Sequence, residues 1–183
     1  MAKGFTLIEA IIVLAIIAII SGVAVPSVGR MIERNQASLA MNWIVSAVRF
    51  TRDSAVTHNT LTTLCPSSTG TKCGGKWHDG VLVFTDANAD RVVNHEDAIL
   101  LQLQYPYAGS TVKWLSFRNR QYLQINSLGY TNFQNGNFTY CASSQDPQFS
   151  RQVIINMQGR VRKSYDRNND GIIEDRYNKP LRC

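Results

Sequence analysis

Gly4-Phe5-Thr6-Leu7-Ile8-Glu9 opens an apolar run that continues from Ala10 to Val25. Between Phe5 and Val25 there is no Lys, Arg or Asp, and Glu9 is the one carboxylate. One helical crossing of a bilayer core needs about 20 apolar residues, which this run supplies. A secretory signal peptide places positive charge first, then a shorter apolar core and a small-residue cleavage site. Here only Met1 to Gly4 precede the run, with Lys3 their single charged side chain. The apolar segment is therefore expected to be kept, with any processing on its N-terminal side. Lys3 on the short flank points to a cytoplasmic N-terminus. Glu9 is costly in this setting: a carboxylate in hydrocarbon costs about 2.5–3.5 kcal/mol, so it should be neutral or paired. Either it snorkels to the interface, or it makes a buried contact with a positive group on a neighbouring subunit.

These residues resemble the processing site of type IV pilins and type II secretion pseudopilins. The resemblance implies removal of residues 1–4, N-methylation of Phe5 after cleavage behind Gly4, and an assembly role for Glu9. In that family the corresponding carboxylate engages the N-terminal amine of an adjacent subunit. Pro26 falls where many pilins carry a helix-kinking proline. The implied partners are other major and minor pilins, the prepilin peptidase, and the inner membrane before assembly. A single-pass protein with a periplasmic C-terminal head, later part of an extracellular pilus, follows from the same resemblance.

After Pro26 the pattern becomes amphipathic. Ala40, Ile44, Ala47, Val48, Thr51 and Ala55 recur at helical spacing, with Arg30, Arg34, Arg49, Arg52 and Asp53 between them. The spacing predicts that the helix continues to about His58, packing one face on a globular head. Gly22 and Pro26 are its weak points. From Leu61 the signals turn to strand: Val81–Phe84, Ile99–Leu103, Val112–Leu115, Tyr122–Ile125, Asn137–Cys141 and Val153–Met157 are β-prone runs between turn residues. The fold class is therefore α+β: residues 5–26 an apolar half-helix, 27–60 an amphipathic half, and 61–183 an antiparallel β-rich head. The strand-rich head ending in Gln158-Gly159-Arg160-Val161-Arg162 resembles minor pilins of the FimU and FimT type and the pseudopilin GspH.

Four cysteines, Cys65, Cys73, Cys141 and Cys183, lie after the membrane segment and admit three pairings. On the periplasmic side disulfides persist. Cys65–Cys73 would close a short loop, and Cys141–Cys183 would pin the tail. A zinc site is the rival, but no Cys-x-x-Cys pair is present.

Two acidic stretches have the spacing of calcium loops. Asp86, Asn88, Asp90, Asn94 and Asp97 occupy positions 1, 3, 5, 9 and 12, with the Val92 carbonyl at position 7. Arg91 stands where a turn glycine is usual. Asp166, Asn168, Asp170, Gly171 and Glu174 form the second stretch, with Tyr177 at its position 12. No motif requires a cofactor, and calcium is the one these loops could take. The plain alternative is a pair of ordinary Asx turns.

Enzymatic chemistry has no support. His58, His78 and His95 are scattered, and neither a Gly-x-Ser-x-Gly elbow nor a phosphate-cradling glycine loop is present. The formal charge of +6 favours an acidic partner. It is concentrated at the end: residues 151–183 hold eight Lys or Arg against four Asp or Glu, and the preceding 150 hold eleven against nine. Alternation of Val153, Ile155, Met157 and Val161 sends Arg162 to the solvent side of the sheet, with Arg160 beside it or in the Gln158-Gly159 turn. Lys163 and Arg167 follow, and Arg176, Lys179 and Arg182 join if Cys183 ties the tail back. The Gly-Arg-Val-Arg run also resembles a motif linked to DNA binding in FimT-type pilins. Double-stranded DNA is thus a candidate partner; the alternative is a solvated basic edge that discourages sheet pairing. The reading is a minor type IV pilin, a structural subunit that primes or caps assembly. Its alternatives are a DNA-binding minor pilin for uptake and a type II secretion pseudopilin.

Overall fold

The computed structural model describes Gly4 and residues 6–183, Val23 by its backbone alone. Phe5, where methylation is expected, and residues 1–3 of the expected leader lie outside the described residues. The chain divides into two compact units, Met1–Asn35 and Gln36–Cys183. Helix α1, Leu7–Thr57, contributes to both and runs through Pro26.

In the first unit Leu7, Ile11, Leu14, Ile17 and Ile20 are exposed. In the second, burial begins at Ala37 and repeats at helical spacing. All six positions picked out by that spacing, Ala40, Ile44, Ala47, Val48, Thr51 and Ala55, are 1% exposed or less. The one polar member, Thr51, donates its hydroxyl to the Ala47 carbonyl at 2.7 Å, so its burial leaves no orphan group. Asn59 ends the helix with φ +49. The Thr60 N–H reaches back to the Ala55 carbonyl and the Asn59 N–H to that of Val56, a Schellman cap in which asparagine replaces the usual glycine.

The rest of the second unit is two antiparallel four-stranded sheets. Strands β1 (Thr62–Pro66), β2 (Gly80–Thr85), β3 (Ile99–Gln104) and β5 (Leu123–Ile125) form one, in the order β3-β2-β1-β5. Strands β4 (Thr111–Ser116), β6 (Gly136–Cys141), β7 (Arg151–Ile155) and β8 (Val161–Lys163) form the other, in that order. The buried face of α1 and side chains from both sheets share one core, including Ile44, Leu64, Val83, Leu123 and Ile155. Within it Phe138 stacks on Trp114 at 4.3 Å and meets Trp77 edge-on at 4.8 Å. Each such pair adds about 0.5–1.5 kcal/mol beyond its buried area.

Cys65 at the end of β1 is bonded to Cys73, and Cys141 at the end of β6 is bonded to Cys183. The second bond fastens the tail to the β4-β6-β7-β8 sheet, helped by a hydrogen bond from the Lys113 ammonium to the Cys183 carbonyl. Leu181 is buried there as well.

One inward assignment fails. Met157 was expected to continue the buried row of β7, but the strand ends at Ile155 and Met157 is 51% exposed in the following turn. The reason lies in Asn156: its backbone N–H bonds the Arg160 carbonyl, and its side-chain oxygen accepts the Arg160 N–H at 2.9 Å. That closes a tight hairpin between β7 and β8 and leaves the apex in solvent.

Candidate functional site

At the start of α1, Thr6 and Glu9 form a reciprocal cap. The Glu9 carboxylate accepts both the Thr6 N–H and the Thr6 hydroxyl at 2.9 Å, while the Glu9 N–H reaches the Thr6 oxygen at 3.3 Å. This is a capping box, which satisfies helix N–H groups that otherwise lack partners. In an apolar surrounding it gives the Glu9 carboxylate donors within its own chain. A neighbouring amine would have to compete with them. Sequence spacing contains this contact, threonine three residues before glutamate, as a third way to satisfy the charge beside snorkelling and a partner's positive group.

The two acidic loops fold alike. In each, the first aspartate accepts the N–H of position 6: Asp86 from Arg91 at 3.3 Å and Asp166 from Gly171 at 2.7 Å. The fifth residue accepts from the seventh at 2.8 Å, Asp90 from Val92 and Asp170 from Ile172. Arg91 takes φ +65 where Gly171 takes +87, so arginine adopts the turn that glycine adopts freely. The loops differ in what their carboxylates do next. Asp86 is fully buried and accepts from the Thr63 hydroxyl at 2.5 Å and the Gln124 amide at 2.8 Å, tying its loop to β1 and β5. Asp166, Asp170 and Glu174 instead bring carboxylate oxygens within 4.8 Å of one another. Those three could share one hard cation, as oxygen ligands of calcium do. Their own backbone donors also hold them, Glu174 through the Arg167 N–H at 3.0 Å.

The basic residues separate into two groups. Arg162 and Lys163 lie on β8, the edge strand, and with Tyr165, Arg167 and Arg176 they line a small cavity of about 40 Å³. Glu174 and Asp175 are on the same wall. The tail closes this groove: Arg167 bonds the Asn178 side chain at 2.6 Å, and Lys163 bonds Asn42 of α1 at 3.3 Å. The N–H of Lys179 foremost, then that of Tyr177 and the charges of Lys179 and Arg182, hold the Asp175 carboxyl below its usual range. Arg160 sits outside the groove, in the β7–β8 turn, and Lys179 and Arg182 do not line it either.

Gly159 shapes that turn. It has φ +70, and a Cβ there would stand 2.6 Å from the Gly129 carbonyl oxygen. Arg52 of α1 donates to the same oxygen at 3.2 Å, so helix, 126–130 turn and hairpin converge behind the basic edge. The sequence also carries a broader electrostatic signal. Between Asp97 and Asp166 the only acid is Asp146, against Lys113, Arg118, Arg120, Arg151, Arg160, Arg162 and Lys163. The whole β4-β6-β7-β8 sheet falls inside that window.

Comparison with known proteins agrees with this architecture. Solved structures of two pilin-like proteins share the fold. The type IV minor pilin FimU of Pseudomonas aeruginosa PAO1 matches with a TM-score of 0.54 at 16% identity, covering 73% of this chain and 91% of its own. The minor pseudopilin EpsH of the Vibrio cholerae type 2 secretion system matches with a TM-score of 0.51 at 8% identity, covering 70% and 95%. No curated protein matches the chain in sequence. Residues 1–25 match the prokaryotic N-terminal methylation motif, which marks a pilin-like, membrane-anchored subunit processed by a prepilin peptidase. The family is one of structural pilin and pseudopilin subunits rather than enzymes. With residues 40–159 matching the family model, the chain belongs to the family of type II transport protein GspH.

Proposed function

We propose that this protein is a minor type IV pilin that helps prime or cap a pilus, held in the inner membrane until it enters the filament. The observation that carries this reading is the division of α1. Among the described residues its apolar side chains from Leu7 to Ile32 are exposed, while from Ala37 onward one face of the helix is buried in the head. An exposed apolar helix of that length needs either a membrane or the helices of neighbouring subunits. The fold is shared with the pilus subunit FimU and about equally with the secretion pseudopilin EpsH, so the choice of a pilus is our reading. Glu9→Ala removes the carboxylate that a neighbour's amine would engage, without adding a membrane cost. The variant is expected to insert and be processed normally yet be missing from sheared pili. Wild-type levels of Glu9→Ala in purified filaments would overturn the proposal.

A second reading, contact with nucleic acid during DNA uptake, is favoured by one specific observation. Arg162 and Lys163 of β8 and Arg167 and Arg176 of the tail line the same groove, four cations against the two acids Glu174 and Asp175. Clustered cations of this kind are what phosphate contacts require.

A further inference from the structure

From the aromatic side chains around the basic groove, we propose that its ligand is a single-stranded nucleic acid whose bases stack on Tyr165 and Tyr177. The inference rests on reading this groove as a nucleic-acid contact and specifies which form of nucleic acid it takes. Both tyrosines are 64% exposed, although a tyrosine ring gains most when one face is covered. Each carries an arginine on its ring. The Arg167 guanidinium lies 5.8 Å from the centroid of Tyr165, and that of Arg176 lies 4.5 Å from Tyr177. Arg167 and Arg176 both line the groove, as does Tyr165 itself. Cation and ring therefore form two composite surfaces, joined across the tail by the Arg167–Asn178 hydrogen bond.

Two features favour a single strand over a duplex. A duplex hides its base faces and offers phosphates, for which cations alone suffice. Solvent-exposed rings beside cations supply what an unpaired base needs, a stacking face with a phosphate partner next to it. The cavity of about 40 Å³ lined by Arg162, Lys163 and Arg167 has room for one small group such as a phosphate, which either form supplies, so the rings decide between them. Glu174 and Asp175 offset only part of the charge of the four groove cations, Arg162, Lys163, Arg167 and Arg176. Glu174 is buried with one oxygen on the Arg167 N–H, and Asp175 is turned to the N–H groups of Tyr177 and Lys179. Their hydrogen bonds shape the loop that carries Arg176 and Tyr177.

The test uses the full chain in detergent. Labelled oligodeoxythymidine of about 15 nucleotides, within the site size of a single-strand groove, is compared by anisotropy with a duplex of equal length and with inorganic polyphosphate. Oligodeoxythymidine is expected to bind about 10-fold more tightly than the duplex. Tyr165→Ala with Tyr177→Ala should weaken it by about 10- to 100-fold and change duplex binding by less than about 2-fold, given the usual worth of base stacking. Tyr165→Phe with Tyr177→Phe keeps the rings and should restore tight binding; a melting curve for each variant checks the fold. Duplex binding as tight as single-strand binding, unaffected by the alanine pair, would overturn the proposal and leave the nucleic-acid reading standing. Polyphosphate competing as well as oligodeoxythymidine would reduce the groove to a plain anion site and overturn it too. No binding of either nucleic acid at low salt would remove both readings.

Discussion

Gly159 shows how a residue can be singled out for the wrong neighbour. In the sequence it is the first letter of Gly-Arg-Val-Arg, and its arginines attract the functional reading. In the structure its own place is fixed by distant chain: the Gly129 carbonyl and the Arg52 side chain occupy the space a Cβ would need. Gly159→Ala should therefore destabilise the head by about 1–3 kcal/mol, the usual cost of a residue held in a sparsely populated backbone region. Chemical denaturation of wild type and variant measures it, and a change below about 0.5 kcal/mol would show that the turn relaxes freely. Such reasons are invisible locally, because nothing in residues 157–162 announces residue 52 or residue 129. Asp86 teaches the same lesson. Its hydrogen-bond partners Thr63 and Gln124 lie 23 and 38 residues away, so the tie of its loop to β1 and β5 cannot be read from local spacing. Thr6 and Glu9 are the contrast, since both halves of that cap sit within one turn and were readable from sequence.

Strands were legible where an apolar, β-prone run sits between turn residues, whether one face meets water, as in β4, or neither does, as in β2. β2, β3, β4 and β6 stand where β-prone runs between turn residues put them. β1 was not marked out, although it is central to its sheet and buried at every position. A strand covered on both faces loses the alternation that identifies it, and Thr62-Thr63 with Pro66 reads locally as a turn. β8 escaped for the opposite reason: three residues, two of them cationic, make a short edge strand, and such charges are how sheets block further pairing. The tail beyond β8 has no regular structure and depends on the bond that closes it. Cys141 and Cys183 are 42 residues apart in sequence, Cys65 and Cys73 only 8. On chain-entropy grounds the longer closure contributes about 4 kcal/mol and the shorter about 2.5 kcal/mol. Paired Cys→Ser variants should follow that order in urea. Removing Cys141–Cys183 should also expose residues 164–183 to protease before the rest of the head. Equal losses for both pairs would mean that strain or residual structure outweighs loop length.

The α+β class was readable because three signals agree along the chain: an apolar run, a helical period continuing from it, then short strands. What periodicity could not show is where the helix stops depending on outside partners. Among the described residues burial starts at Ala37, and the compact unit containing the head begins at Gln36. Residues 36–183 carry the shared core of helix and both sheets, together with both disulfides. A domain of about 150 residues buries enough surface, roughly 68–70% of its unfolded area, to stand alone. The helical piece it keeps, from Gln36 to Thr57, would be marginal in isolation but is held by packing. The preceding apolar residues are exposed and add nothing to that core. A chain beginning at Gln36 should therefore be soluble without detergent, form both disulfides, and unfold in one cooperative transition. Its melting temperature should lie within about 4 °C of the full chain in micelles, the shift about 1 kcal/mol would cause in a domain of this size. The full chain should aggregate or enter vesicles when detergent is removed, because the exposed run is long enough to span a bilayer. A truncated chain that melts broadly, or that scrambles its disulfides, would mean that residues before Gln36 support the head. In that case the apolar half-helix is part of the fold and not only the segment by which the subunit is stored and assembled.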